Sequence, residues 1–347
     1  MKTYAIALIP GDDIGRDVTD AAWTVLEAAA RHAGFALNGA SFPWSCAFYK
    51  DTGAMMPADG IKTLERFDAI LLGAVGWPAE VPDAVSLHGL PSADPQGIHA
   101  TCQCPTAPPT SGRQWPVEDD RVRHPLIREN TEGEYSGAGG RVHQGTSAEI
   151  AVETSMFTRA GVERISRFGF DQARKRRGKL ASVTKSNAQK YSMVFRDEVT
   201  RQVAADYPDV ESASYHVDVL AARMVMAPES LDVVVASNLF GDILTDLGAA
   251  IQGGLGFAAS ANINPVRRVP SMFEPVHGSA PDIAHLGNAS PIAAIWSGAM
   301  MLEHLGEADA AVRVMAALEA TTARGSGTVP GKKRTEAITA AVLSRLF

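Results

Sequence analysis

Cysteine is scarce in this chain. Only three cysteines stand among 347 residues, and two of them, Cys102 and Cys104, are separated by a single residue. Three cysteines with this spacing cannot build a framework of several disulfides. A lone Cys-x-Cys pair without a second pair is also a poor zinc half-site. The composition therefore excludes a disulfide-stabilised mini-protein and disfavours a zinc domain.

Long apolar runs and an excess of positive charge are missing as well. No apolar run reaches the ~18 residues of a membrane helix, and the N-terminal sequence lacks the long apolar region and cleavage site of a signal peptide. The formal net charge is −7, whereas nucleic-acid binders normally present a basic surface. The one basic run, 174–179, is interpreted as a solvated helix end. We expect a cytoplasmic protein with no membrane and no nucleic-acid partner.

The chain is long and has an alternating pattern. Its length favours two lobes over one core, and 46% hydrophobic with 20% charged residues is typical of a globular protein. Segments of strand period alternate with segments of helical period, which predicts a mostly parallel α/β architecture. Strands are predicted through Ile9 and over 35–42, 69–73, 180–184 and 231–236, and helices over 18–32, 162–176, 188–207, 291–304 and 309–323.

Two aspartates follow the last of these strands. The segment 237–248, SNLFGDILTDLG, is predicted to begin a helix with Asn238 as its N-cap. Residues four apart share a helical face, so the carboxylates of Asp242 and Asp246 stand side by side. Like charges in this position destabilise a helix unless a cation lies between them. The pair indicates a hard divalent ion with oxygen ligands; the alternative is a helix start that favours aspartate through its dipole.

Four motifs occur in a fixed order along the chain. They are RENTEGEYS at 128–136, TKSN at 184–187, SNLFGDILTDLG at 237–248 and EPVHGSAPDI at 274–283. Together they resemble the metal-dependent β-decarboxylating dehydrogenases of the isocitrate/isopropylmalate dehydrogenase family. A fifth segment, GAVGWPAEVPDAVSL at 73–87, is similar to the tartrate and D-malate branch of that family.

The resemblance implies an isopropylmalate-dehydrogenase-like α/β fold of two lobes with the active site in the cleft between them. The cofactor-side lobe is expected to combine residues 1–98 and 252–347, and the central lobe to span 99–251 and carry the interface of a homodimer with shared active sites. A Rossmann fold is disfavoured, because GDDIG at 11–15 is not the GxGxxG fingerprint.

The resemblance also implies a metal site. Asp242 and Asp246 match the family's metal-binding aspartates, and Asp218 matches a third that is contributed across the dimer interface. Three carboxylates suit Mn²⁺ or Mg²⁺, with the substrate completing the coordination shell. Tyr135 and Lys185 match the family's acid/base pair. In addition, Arg128 matches an arginine that forks onto a carboxylate of a small dicarboxylate substrate.

By the same resemblance, loops of the first lobe bind the cofactor. Asp282 matches the acidic residue that accepts hydrogen bonds from the adenosine ribose. A carboxylate there repels a 2′-phosphate, which favours NAD over NADP; taken alone, Asp282 is also consistent with a loop residue that caps the next turn. The implied cofactor-binding residues are Gly73, Glu274, His277, Gly278, Ala280, Asp282, Asn288 and Ser290.

Three departures from the family pattern stand out. Asp13 occupies a glycine position of the GDGIG loop, where a positive φ costs more for aspartate. Ser290 stands where the family has a cofactor-contacting asparagine, with Asn288 nearby. The third departure is the segment 91–124, which has six prolines and no helical or strand periodicity, and lacks the family motif that supplies two further substrate arginines.

A frameshift would account for this third departure. Read one base later, codons compatible with residues 97–110 permit Phe-x-Gln-x-Val-Asn-Val-Arg-Pro-x-Arg-Leu, which follows most of the family motif. We therefore hypothesise a frameshift in the segment with a compensating shift before Ile127; the alternative is a lineage-specific loop. Without those arginines the literal chain lacks most of its dicarboxylate clamp, so its activity is in question.

These features predict an NAD- and Mn²⁺- or Mg²⁺-dependent enzyme that oxidatively decarboxylates a small 2-hydroxy dicarboxylic acid. The expected reactions are conversion of D-malate to pyruvate and carbon dioxide, oxidation of tartrate, or both. The alternatives are a 3-isopropylmalate dehydrogenase and a catalytically impaired member of the family.

Overall fold

The computed structural model describes residues 1–82, 85, 86, 89, 98–103, 124–252, 254–265, 267–322 and 334–347. The chain forms two compact units. Described residues of the first unit lie within 1–94 and 252–347, and those of the second within 95–104 and 119–251. Most of the segment proposed to be frameshifted lies outside the described residues. No helix among the described residues is long and apolar enough to cross a membrane.

The first unit is a sheet covered by helices. Its strands lie in the order β2-β1-β3-β12-β11, parallel except for the antiparallel pair β11–β12. They are β1 Thr3–Gly11, β2 Ala36–Ser41, β3 Ala69–Ala74, β11 Ala259–Ile263 and β12 Ser271–Pro275. The helices are α1 Ile14–Ala33, α2 Cys46–Thr52, α3 Gly60–Leu64, α8 Ile292–His304, α9 Ala308–Thr322 and α10 Arg334–Leu343. β3 and most of α8 are buried, which places the core between the sheet centre and α8.

The strands of the second unit are mostly parallel to one another. The strand order is β4-β5-β10-β8-β9, and only the pair β4–β5 is antiparallel. The strands are β4 Ile98–Gln103, β5 His124–Glu129, β8 Lys179–Thr184, β9 Glu211–His216 and β10 Val233–Ala236. The helices are α4 Arg159–Arg174, α5 Ser192–Ala204, α6 Val217–Met226 and α7 Asn238–Gln252. A separate antiparallel hairpin joins β6 Gly133–Val142 and β7 Ile150–Met156.

The alternating pattern of the sequence is confirmed as a mixed α/β fold with parallel strands. Two details differ from prediction. The helix predicted over 188–207 begins at Ser192, because the amides of Ala188 and Gln189 both turn back onto the carbonyl of Lys185. A strand is also present at 98–103, where the sequence has no strand periodicity; its pairing with β5 depends on backbone groups, which do not require alternating side chains.

Candidate active site

The site-forming residues of the second unit follow the carboxyl ends of its parallel strands. β5 ends with Arg128 and Glu129, β8 leads into Lys185, β9 leads into Asp218, and β10 leads into helix α7. Parallel strands bring their carboxyl ends to one edge of a sheet, and this edge is where α/β proteins bind ligands. The topology therefore explains why motifs far apart in sequence reach the same edge.

Arg128 is held by the beginning of α7. Its Nε and one terminal nitrogen donate to Oδ1 of Asn238 at 2.9 and 2.7 Å, and its other terminal nitrogen donates to Oδ1 of Asp242. The Arg128 side chain is 13% exposed, so the ion pair is largely shielded on the arginine side. The guanidinium is thus fixed in orientation beside the predicted metal ligands.

The predicted capping role of Asn238 is wrong. Asn238 is the first residue of α7, and its side chain binds Arg128 and the carbonyl of Glu132. The cap comes from Glu134, whose carboxylate accepts from the Leu239 amide at 3.1 Å and from the Ser237 hydroxyl at 2.8 Å. A carboxylate at a helix N-terminus also interacts favourably with the helix dipole. Glu134 stands within the motif RENTEGEYS, yet its target lies more than 100 residues away and no local pattern reveals it.

Asp242 and Asp246 lie on α7 as predicted, close enough to influence each other. The pKa of the Asp246 carboxyl is raised by burial and by the charge of Asp242, and Arg128 opposes that rise. A divalent cation favours the charged form of a carboxylate beside it, so it would offset the rise in the pKa of Asp246. This donor pair fits Mn²⁺ or Mg²⁺.

Tyr135 belongs to the same group. Its hydroxyl donates to Oδ2 of Asp242 at 3.2 Å, and its ring lies 5.7 Å from the guanidinium carbon of Arg128. Burial and the nearby charge of Asp242 raise the pKa of the Tyr135 hydroxyl. The hydroxyl therefore stays protonated at neutral pH and is available as a proton donor.

Lys185 and Asp218 form a second group. The ammonium of Lys185 donates to Oδ1 of Asp218 at 2.8 Å, and this bond lowers the pKa of the Asp218 carboxyl. The Lys185 side chain is 26% exposed and that of Asp218 65% exposed. Both residues thus face solvent at the carboxyl ends of β8 and β9.

Within the described part of the chain, no hydrogen bond or ion pair joins these two groups. The first group, called the α7 group, contains Arg128, Tyr135, Asp242 and Asp246. The second group contains Lys185 and Asp218. No set of three His, Cys, Asp or Glu side chains among the described residues is placed to hold one metal ion. One chain therefore brings together two of the three predicted carboxylate ligands, and it does not place the predicted acid/base pair in contact.

The predicted cofactor-binding residues lie in the first unit, around the end of β12. The Glu274 carboxylate accepts from the Asn262 amide at 2.8 Å. Nε2 of His277 is buried without a hydrogen-bond partner, and burial lowers the pKa of this imidazole. No atom outside its chain neighbours lies within 4 Å of a Cβ built on Gly278. Among the described residues, a buried imidazole nitrogen without a partner fits a bound polar ligand.

The rest of this loop places its polar groups at the surface. Ala280 has a φ of 42°, and the short 3-10 turn that follows, Pro281–Ile283, leaves Asp282 exposed. Asn288 is exposed as well, and the Ser290 hydroxyl lies 3.4 Å from the carbonyl of Gly256. These residues are accessible, and their contacts with a cofactor stay predictions.

Gly73 has a packing role in the structure. A Cβ at this position would stand 2.3 Å from the carbonyl oxygen of Pro10 and 2.5 Å from the Thr19 hydroxyl. Glycine therefore permits β3 to approach β1 and α1 closely. The neighbouring Asp13 has a φ of 45°, the left-handed conformation anticipated from the family's glycine, and one of its carboxylate oxygens is buried without a partner.

The mixed α/β fold agrees with the comparisons to known proteins. A model of the isocitrate/isopropylmalate dehydrogenase family matches residues 5–342. The chain belongs to this family of dehydrogenases.

The names of individual relatives specify a substrate as well as a family. The chain is 47% identical to the "Probable tartrate dehydrogenase/decarboxylase" of Bacillus subtilis, with 100% of this chain and 99% of the relative covered. It is 48% identical to the "D-malate dehydrogenase [decarboxylating]" of Escherichia coli, with 94% of each covered. The solved isocitrate dehydrogenase of Methylococcus capsulatus superposes with a TM-score of 0.81 at 32% identity, with 99% of both chains covered. The predicted family, its tartrate and D-malate branch, and the predicted fold class are confirmed.

Proposed function

We propose that the chain catalyses the NAD-dependent oxidative decarboxylation of D-malate, the oxidation of tartrate, or both, with Mn²⁺ or Mg²⁺. The observation that carries this proposal is the group on α7, where Asp242 lies within hydrogen-bond distance of both Arg128 and Tyr135. That group combines a cation-binding carboxylate, a carboxylate-binding guanidinium and a proton donor. A small 2-hydroxy dicarboxylate has the matching hydroxyl and carboxylates.

Asp242 and Asp246 would hold the cation, and Asp218 of a second copy would complete the protein ligands. When bound, a divalent cation at this position would supply Lewis acidity toward the oxygens of the substrate, and NAD would supply the acceptor for the C2 hydride. Arg128 orients the substrate through one of its carboxylates. Its planar fork is already aligned by Asn238, which reduces the entropy lost on binding.

Lys185 and Tyr135 divide the proton transfers. Once its ammonium has released a proton to solvent, the neutral amine of Lys185 would take the proton of the substrate hydroxyl as C2 is oxidised. The 2-keto acid then loses its β-carboxylate as carbon dioxide. Tyr135 delivers a proton to the carbon that carried this carboxylate. The raised pKa of Tyr135 suits this role, since the donor must be protonated at that stage.

A homodimer with shared sites is part of the proposal. The single chain keeps Lys185 and Asp218 apart from the α7 group, so a second copy is the simplest source of the missing partners. Apolar side chains at least half exposed cluster on the hairpin and on α6 and α7, as expected of a surface that a second chain covers. They include Tyr135, Val142, Ile150, Val152, Met156, Val219, Met226 and Ile243.

NAD is proposed as the cofactor on the basis of the first unit. His277 offers an unpaired buried nitrogen, and the exposed carboxylate of Asp282 suits ribose hydroxyls and disfavours a 2′-phosphate.

A substrate and cofactor panel tests the proposal. NADH formation would be followed by absorbance with D-malate, tartrate and 3-isopropylmalate in the presence of Mn²⁺, and NADP would replace NAD in a parallel series. We expect turnover of D-malate or tartrate at least about tenfold above 3-isopropylmalate, a difference of ~1.4 kcal/mol in barrier. Preference for 3-isopropylmalate contradicts the substrate assignment, and preference for NADP contradicts the cofactor. Binding of Mn²⁺ and NAD without turnover of any substrate points to an impaired enzyme.

Co-expression of two inactive variants tests the shared site. Lys185→Met and Asp242→Asn chains are each expected to be inactive. Each shared site would combine Asp242 of one chain with Lys185 of the other. In a mixed dimer, one site therefore contains both substitutions and the other site contains neither. Random assembly makes half of the dimers mixed, so about a quarter of the parent activity should return. The same variants purified separately and combined without subunit exchange serve as the control. Co-expressed material no more active than either variant contradicts sharing.

A further inference from the structure

Arg196 is a buried charged residue that the proposed chemistry does not use. It lies on α5 and is 1% exposed. Its guanidinium donates to the carbonyl of Val183 at 2.6 Å, to the Ser182 hydroxyl at 3.3 Å and to the carbonyl of Val235 at 3.4 Å. Val183 and Val235 belong to β8 and β10, each one residue before the end of its strand. The arginine therefore connects the carboxyl ends of the two central strands.

Burying a guanidinium without compensating charge is strongly unfavourable. Burial lowers the pKa of Arg196, and the charges of Asp197, Glu134 and Glu129 act in the opposite direction. None of these carboxylates forms a direct ion pair with Arg196 in the described structure. We call Arg196 and these three carboxylates the charged cluster; the hydrogen bonds of Arg196 itself go to the Ser182 hydroxyl and to the carbonyls of Val183 and Val235.

Two carboxylates of this cluster adjoin candidate active-site residues of the α7 group. Glu134 precedes Tyr135 and caps α7 through the Leu239 amide. Glu129 follows Arg128, is 2% exposed, and accepts from the Thr131 hydroxyl at 2.6 Å. Arg196 itself reaches the beginning of α7 through β10, because it donates to the carbonyl of Val235, three residues before Asn238.

The third carboxylate of the cluster supports the turn that carries Lys185. Asp197 accepts from the Thr184 hydroxyl at 2.9 Å, and that hydroxyl oxygen accepts from the Ser186 amide at 3.1 Å. Lys185 thus lies between Thr184 and Ser186. The Thr184 hydroxyl bonds both the Ser186 amide and Asp197, and Asp197 is the residue after Arg196.

We propose that Arg196 is a positioning residue for the decarboxylation reaction, which holds the Lys185 turn and the beginning of α7 in their catalytic arrangement. This inference rests on the proposed function. Arg196 is buried away from solvent, so it acts through the ends of β8 and β10, to which it donates hydrogen bonds, and through the turn that Asp197 supports.

A second arginine at the opposite ends of the same strands provides a matched control. Arg176 donates to Asp232 at 2.9 Å, and Asp232 also accepts from the Lys179 amide at 3.4 Å. Asp232 directly precedes β10, and Lys179 begins β8, so this pair anchors the amino ends of both strands. Replacing Arg176 perturbs the same sheet without touching the residues of the site.

The experiment compares Arg196→Lys and Arg196→Met with Arg176→Lys and Arg176→Met. Lysine keeps the charge but cannot reach both strands with one fork. For Arg196→Lys we expect kcat with D-malate and Mn²⁺ to fall about tenfold or more, since small misplacements of catalytic groups have large effects on rate. Arg196→Met should fall further. In both variants KM for NAD should stay unchanged, and Arg176→Lys should keep the parent kcat.

Hydrogen–deuterium exchange provides a readout that does not require activity. In Arg196→Lys, amides of 184–189 and 237–241 should exchange at least about tenfold faster while the rest of the sheet keeps its protection. In the Arg176 variants the faster exchange should instead lie near 177–179 and 231–233.

The kinetic and the hydrogen–deuterium exchange measurements together distinguish a failure of this inference from a failure of the proposed function. A parent that turns over none of the dicarboxylates contradicts the proposed function, and the exchange pattern still decides the role of Arg196. Folded Arg196→Lys protein with parental kcat, or with unchanged exchange at 184–189 and 237–241, overturns the positioning role. If Arg196→Met does not fold, the lysine variant alone decides.

Discussion

Asp242→Asn and Asp246→Asn are each expected to lower Mn²⁺-dependent NADH formation by about 10³-fold. A bound divalent cation contributes several kcal/mol of transition-state stabilisation, and each ~1.4 kcal/mol corresponds to a factor of ten in rate. Asparagine keeps the volume and one oxygen of each side chain but removes the charge that attracts the cation. The loss should therefore appear in Mn²⁺ affinity, measured by calorimetric titration, as well as in kcat.

The two variants differ in a second effect, which helps to interpret them. Asp242 also receives hydrogen bonds from Arg128 and Tyr135, whereas Asp246 is coupled to this group only through charge. Asp242→Asn should consequently raise KM for the dicarboxylate as well, since Arg128 loses its ionic partner. Asp209→Asn is a suitable control, because Asp209 forms an exposed ion pair with Arg174, and neither residue belongs to the candidate site. Parental activity and Mn²⁺ affinity in either α7 variant would remove the basis of the proposed mechanism.

The sequence predicts the parts of this site that depend on local geometry. The placement of Asp242 and Asp246 on one helix follows from their spacing, because every α-helix brings residues four apart to the same face. The strand before α7 is likewise recognisable, since it is short, apolar and fully buried. What the spacing cannot predict is the partner of each side chain. Asparagine is a common N-cap residue, yet the side chain of Asn238 binds Arg128. The capping hydrogen bond is accepted instead by Glu134, which lies on a distant strand.

The parts that the sequence does not predict depend on contacts between distant segments. The hairpin β6–β7 has no apolar alternation, because most of its side chains are exposed and its sequence is rich in glycine. Arg196 carries a weak signal, since a charged residue stands on the apolar helical face formed by Met193 and Val199. Its contacts with the carbonyls of Val183 and Val235 form only when β8 and β10 are folded together, so the sequence alone does not predict them.

Restoring the reading frame of segment 97–110 is expected to raise kcat/KM for D-malate or tartrate by about 10²-fold or more. The shifted frame replaces a segment without matching arginines by one with two arginines in the family's spacing. A hydrogen bond to a charged group contributes roughly 1.5–3 kcal/mol, and two forked arginines on one dicarboxylate exceed the ~2.8 kcal/mol that corresponds to this factor. KM for NAD and the affinity for Mn²⁺ should not change, because the arginines contact neither.

A matched variant separates the arginines from any general improvement in folding. It carries the same restored segment with both arginines replaced by glutamine, which keeps the length and most of the hydrogen-bonding groups. If the arginines are responsible, this variant should fold like the restored chain but retain the low kcat/KM of the literal one. Equal gains in both variants would assign the effect to folding. Resequencing of the coding DNA decides the origin of the segment independently: an in-frame, reproducible read without a nearby insertion or deletion contradicts the frameshift. In that case a lineage-specific loop replaces the dicarboxylate clamp, and the restored chain measures what that replacement costs in substrate binding.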